Sequence, residues 1–163
     1  MSKDLLVKNI RWLVTCNDAG EVLEHASMLV RNGVIVSIDP PGDVKADEVI
    51  DASGMILYPG MINAHHHLYQ IFSRNLPQVQ RMELFPWLKT LYEIWKNLEE
   101  ESIYYSSMSG MGELLKTGCT TILDHHYVFP QGKSDRFLNV QFAAADELGV
   151  RFHATRGSMD LGV

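Results

Sequence analysis

Cysteine is scarce in this chain: Cys16 and Cys119 are the only two among 163 residues. They lie far apart and show no metal-type spacing, which argues against a disulfide framework. Both read as reduced packing residues of a cytoplasmic protein. Blocks of Lys and Arg are missing too, and the formal charge is −6, so no nucleic-acid footprint is expected. No apolar run approaches the roughly 18 residues that cross a bilayer, so no membrane contact is expected. Met1 to Arg11 lacks the charged-then-apolar pattern of a secretory signal. What remains is ordinary for a soluble globular protein, with 46% hydrophobic and 21% charged residues.

Two regions differ in pattern. Up to about Ile56 the chain consists of short strands and turns, the N-terminal portion of a small β domain (residues 1–56). Leu5, Val7, Trp12 and Val14 fall in strand-like segments. Ser27–Val30 and Val34–Ile38 flank Arg31-Asn32-Gly33, and Asn-Gly between apolar runs is a hairpin signal because both turn residues tolerate positive φ. From residue 57 to 163 the rhythm is strand, helix, strand, helix, strand. Met55–Ile62 reads as the first strand. Pro86 suits a first helical position, followed by Trp87, Leu88, Leu91, Ile94, Trp95 and Leu98 at helical spacing.

A second helix is expected to open near Asn97, which could cap it with Glu100; Tyr104, Met108, Met111 and Leu115 would form its apolar stripe. Gly118 and Gly149 are helix stops. Thr120–Asp124 and Val150–Thr155 read as further strands. Alternating β and α units imply an α/β fold with a parallel sheet and function at the strands' carboxyl ends. A (β/α)8 barrel needs about 250 residues, and roughly 100 follow the β-rich region, enough for about three of eight strands. Nothing from Gly157 to Val163 reads as a finished closing element.

Chemistry concentrates at His65-His66-His67, which follow an apolar strand. Side chains two apart on a strand share a face, so His65 and His67 can point together with His66 turned away. Two imidazoles at a strand end can supply two metal ligands; a polar strand end is the plainer alternative. Gln70 carries a donor and an acceptor that suit a mixed ring edge, or it is a capping amide. Trp87 can wall a pocket with Phe85, although its spacing with Leu91 and Trp95 equally fits plain core. Arg156, just past the third strand, can bind an oxo group or join a surface ion pair. His125 and His126 follow the second strand and read as structural, as do His25 and His153. Asp124 reads as a strand-end hydrogen-bonding residue.

The stretch Val49-Ile50-Asp51-Ala52-Ser53-Gly54-Met55-Ile56-Leu57-Tyr58-Pro59-Gly60-Met61-Ile62-Asn63-Ala64-His65-His66-His67 resembles the entry to the barrel of the amidohydrolase superfamily. His67-Leu68-Tyr69-Gln70, Leu84-Phe85-Pro86-Trp87-Leu88-Lys89, Thr120 to Tyr127 and Arg151 to Met159 are similar to its 8-oxoguanine deaminase and hydroxyatrazine hydrolase branch. The resemblance implies the first strands of a metal-dependent TIM barrel preceded by part of a small β-sandwich-type domain. It implies His65 and His67 as ligands of one divalent metal, zinc or alternatively iron, and Gln70, Trp87 and Arg156 as substrate contacts.

The implied reaction is hydrolytic deamination of a purine-like heterocycle, with other amidohydrolase reactions or an inactive piece as alternatives. The further ligands and acid–base groups come from later strands in that family, so no catalytic residue is expected within these 163. The remaining barrel half would belong to the same or a second chain, and the completed protein is expected to be a homo-oligomer.

Overall fold

Val7, Ile10 and Leu13 are buried at intervals of three along β1 (Leu5–Val14), where a regular strand would bury every second residue. A β-bulge between Val7 and Ile10, with Asn9 at φ +58°, resets the faces over the first interval, while the register from Ile10 to Val14 is unbroken. The computed structural model describes residues 3–158, and the chain divides into two units, residues 1–59 and 60–163. The expectation for the closing stretch after Ser158 lies outside the described residues.

In the first unit β1 pairs antiparallel with β2 (Val22–Arg31), and β2 with β3 (Val34–Ile38). The turn between β2 and β3 is the expected Asn32-Gly33, at φ +50° and +76°. On its other side β1 pairs in parallel with β4 (Glu48–Asp51) and with the short β5 (Ile56–Leu57). Val7, Ile10, Leu13, Ala26 and Ala52 make this unit's core. Cys16 is exposed and Cys119 buried, both as thiols; only Cys119 is therefore a packing residue.

The expected first strand, Met55–Ile62, is two pieces. Ile56–Leu57 completes the N-terminal sheet, and Tyr58-Pro59-Gly60 carries the chain to β6 (Met61–Asn63). The division thus falls after Pro59 and not after Ile56. A proline in this link donates no ladder hydrogen bond, and a Cβ at Gly60 would collide with the Thr120 side chain.

In the second unit β6, β7 (Cys119–His126) and β8 (Arg151–Arg156) form a parallel three-stranded sheet in chain order. The connections are α1 (Leu84–Trp95), α2 (Glu100–Lys116) and α3 (Phe137–Leu148). Pro86 is the third residue of α1, not the first. The position costs nothing, because the first three helical N–H groups lack intrahelical acceptors in any case. Asn97 does not open α2. Its amide caps the end of α1, donating to the carbonyls of Glu93 and Ile94 at 3.2 Å each.

Glu99 is the residue before α2, and Glu100 and Glu101 meet the positive end of the helix dipole. The buried stripe of α2 is Ile103, Ser106, Ser107, Gly110 and Met111, with Tyr104 and Met108 at its margin. Gly110 lets Leu68 and Ile71 approach the helix closely. Gly118 and Gly149, at φ +86° and +71°, end α2 and α3 as expected. No described helix is long and apolar enough to cross a membrane.

Candidate functional site

Parallel strands bring their carboxyl ends to one edge of the second unit's sheet, and the histidines collect there. His65, His66 and His67 lie just past β6 in irregular backbone, with the N–H of His65 donating to Asn63 Oδ1 at 3.2 Å. The rings of His65 and His67 nevertheless meet edge to face, centroids 5.1 Å apart. The pair meets although the strand whose alternation the spacing assumed has ended at Asn63.

Three hydrogen bonds fasten this segment to the end of β7. His125 N–H donates to His66 O at 2.9 Å. His67 Nδ1–H donates to His125 O at 2.8 Å, and Leu68 N–H donates to Asp124 Oδ1 at 2.6 Å. Since a carbonyl only accepts, His67 carries a proton on Nδ1, which in the neutral ring leaves the lone pair on Nε2. That is the tautomer of a metal-ligating imidazole with its second nitrogen anchored.

Asp124 is fully buried, and Gln141 of α3 donates to its Oδ2 at 2.8 Å. Burial pushes its carboxyl pKa up, while the bonds from Gln141 and Leu68 pull it down. It is the hydrogen-bonding residue expected at this strand end. His66 is half-buried with Nδ1 unpartnered, and burial lowers its pKa.

His126 is structural. It is fully buried among Tyr69, Phe129 and Phe137, and its Nε2–H donates to Val128 O at 2.9 Å. Burial drives its pKa down to about 4. His125 differs, with Nδ1 2.6 Å from Thr155 Oγ1. Its ring leaves no space for a side chain at Gly157.

Gln70 sits one turn past His67 and donates through Nε2 to the hydroxyls of Tyr69 (3.2 Å) and Tyr127 (3.0 Å). Its Oε1 remains as the acceptor. Gln70 is a shared wall: it lines an open cavity of about 270 Å³ with the three histidines and Arg74. It also lines a larger one, about 570 Å³, that includes Trp87. Trp87 is half-buried and packs edge to face on Trp95 at 5.6 Å.

Phe85 shuts no pocket; it is 80% exposed. Arg156 lies elsewhere, its guanidinium 4.5 Å above the Phe129 ring. It borders a separate cavity of about 510 Å³ with Tyr92 and Tyr127. The structure brings together His65, His67, Gln70 and Trp87 around adjoining cavities, but not Arg156.

Among the described residues no three His, Cys, Asp or Glu side chains are grouped to hold a metal ion. Tyr127, Gln141 and Thr155 went unassigned in the sequence. Gln141 alone left a signal, a polar residue on the helix face that buries Ala144 and Ala145.

The amidohydrolase family model matches residues 56–162. The chain belongs to the amidohydrolase family. Among curated amidohydrolases it is 38% identical, over 91% of its length, to hydroxydechloroatrazine ethylaminohydrolase of Pseudomonas sp. strain ADP. It is 42% identical, over 83%, to 8-oxoguanine deaminase of Pseudomonas aeruginosa. The chain spans about a third of these relatives, 34% and 30% of their lengths. A solved structure, atrazine chlorohydrolase from Arthrobacter aurescens TC1 complexed with zinc, superposes with a TM-score of 0.90 at 32% identity. That match covers 97% of this chain and 36% of the other.

Proposed function

We propose that this amidohydrolase is a metal-dependent deaminase of a purine-like heterocycle of the 8-oxoguanine type. His65 and His67 would be two ligands of a divalent cation, zinc by preference, with iron as the alternative. The observation that carries the reading is the imidazole pair, rings 5.1 Å apart, with His67 Nδ1–H tied to a carbonyl. That donor set fits a divalent cation. A cation bound there supplies Lewis acidity, drawing the pKa of water from about 15.7 toward 7.

In the overall reaction water adds to the amino-bearing ring carbon, the C–N bond breaks, ammonia leaves and a carbonyl remains. This chain's part is to bind and orient. Gln70 offers Oε1 to a ring N–H beside the histidines, and Trp87 supplies an aromatic wall to the adjoining cavity. Arg156 would reach an oxo group from the far side of Tyr127.

The three parallel strands would be the first staves of a (β/α)8 barrel, and the N-terminal sheet part of a small β domain. Catalytic zinc normally takes three protein ligands, so further ligands and the acid–base groups would come from the rest of the barrel, in the same or a second chain. A second reading, hydrolysis of a triazine substituent, is favoured by the 38% identity to the ethylaminohydrolase.

The test is metal analysis of the intact protein together with a substrate screen. Stoichiometric zinc and ammonia release from 8-oxoguanine, both lost in His67→Ala, are expected. Turnover of triazines alone would move the assignment to the second reading. An intact protein that binds no divalent metal would refute both.

A further inference from the structure

The peptide group after His67 is held from one side by a carboxylate that no step of the proposed reaction uses. His67 adopts φ −135° and ψ 80°, with ψ just outside the broad β region. The direction of the Leu68 N–H is set by that ψ, and the bond to Asp124 Oδ1 at 2.6 Å fixes it. Asp124 is in turn braced through Oδ2 by Gln141 at 2.8 Å, and both side chains are fully buried. Its neighbour His125 supplies the carbonyl that holds His67 Nδ1–H. One residue pair on β7 thus grips His67 at its backbone and at its ring.

We propose that Asp124, braced by Gln141, is a positioning residue for His67: it locks the His67–Leu68 peptide so that the ring meets the His125 carbonyl and turns Nε2 toward the cation. The inference rests on the metal reading above and adds to it a chain of contacts running from α3 to the ligand. The requirement is for an acceptor, not a charge. Asparagine at position 124 keeps Oδ1 for Leu68. Its amide would then face Gln141, whose Oε1 is buried without a partner and can accept once the glutamine amide turns over. Removing outer-shell support of a ligating histidine typically weakens metal affinity by about 10- to 100-fold.

The experiment compares the intact wild-type protein with Asp124→Asn, Asp124→Ala and the double variant Asp124→Leu/Gln141→Leu. The double variant replaces both buried polar groups with apolar ones of similar shape and so guards against loss of folding. Zn(II) affinity is read by chelator competition, the Co(II) visible spectrum reports ligand geometry, and thermal melts of the metal-free proteins report folding. Asp124→Asn should bind within about 3-fold of wild type. The double variant should bind about 10- to 100-fold more weakly with an altered Co(II) band, and so should Asp124→Ala if it folds. A folded double variant that binds like wild type overturns this inference alone, as does an Asp124→Asn variant no better than the double variant. Wild type that takes up neither metal, or a His67→Ala variant with an unchanged Co(II) band, overturns the metal reading and this inference with it.

Discussion

Acid should destabilise the second unit through His126. The ring lies within 4.9 Å of the Tyr69 and Phe129 centroids and is fully buried. Its Nε2–H is used by the Val128 carbonyl, and Nδ1 has no partner. Protonation would put a positive charge inside an aromatic box with no carboxylate of the described residues acting on it. Burial therefore lowers the folded-state pKa from 6.5 to about 4, helped by His125 and His67 and opposed by the Val128 bond.

The unfolded chain binds this proton below about pH 6.5 and the folded chain only near pH 4. The stabilisation is thus complete above pH 6.5 and is lost as pH falls through the window. At about 1.4 kcal/mol per pK unit the loss reaches about 3 kcal/mol at pH 4, with about 2 kcal/mol gone by pH 5. Denaturant unfolding at pH 7, 6 and 5 measures it, with His126→Phe as reference, since phenylalanine suits the box and cannot titrate. Asp124, whose raised pKa acts in the opposite sense at lower pH, is common to both proteins and cancels in the difference. Wild type should lose about 2 kcal/mol more than His126→Phe between pH 7 and 5. Equal losses would refute the reasoning, as would an imidazole resonance of His126 titrating near 6.5.

Two further outcomes are expected. Gly110→Ala gains about 0.5–1 kcal/mol of helix preference, but its Cβ would sit 2.7 Å from Leu68 Cδ2 and 3.2 Å from Ile71 Cδ1. Crowding of that kind costs about 1–3 kcal/mol, so a net loss near 1 kcal/mol should lower Tm, and a rise would contradict the packing described. The 163-residue chain purified alone should show no appreciable turnover of 8-oxoguanine. The proposed ligand pair, His65 and His67, falls short of the three protein ligands that catalytic zinc normally takes, and Met61 and Ile62 of β6 stand 64% and 72% exposed. Full turnover by the isolated chain would overturn that expectation.

Local rules with a single physical cause were legible in the sequence. Asn32-Gly33, Gly118 and Gly149 sit where positive φ is required. Choices between two satisfied alternatives were not. Asn97 could cap the helix before it or after it, and the last-turn carbonyls of Glu93 and Ile94 took it. The α2 stripe was read by apolarity, but close approach of Leu68 and Ile71 selects glycine at position 110. Tyr58-Pro59-Gly60 looked continuous with its flanks because Ile56–Leu57 and Met61–Asn63 are both apolar strand, although they serve different sheets. The bracing of His67 was invisible because Asp124 and Gln141 meet only once β7 and α3 pack.

Because the acceptor for His67 Nδ1–H is a main-chain oxygen, no side-chain exchange at position 125 can delete it. Evolution could swap that imidazole for another group, altering what meets Thr155 and Gly157, while the proton on the neighbouring ring stays where it is. A change that reroutes the strand, such as an inserted residue, or one that removes the Asp124 lock, would let the ring choose its other tautomer.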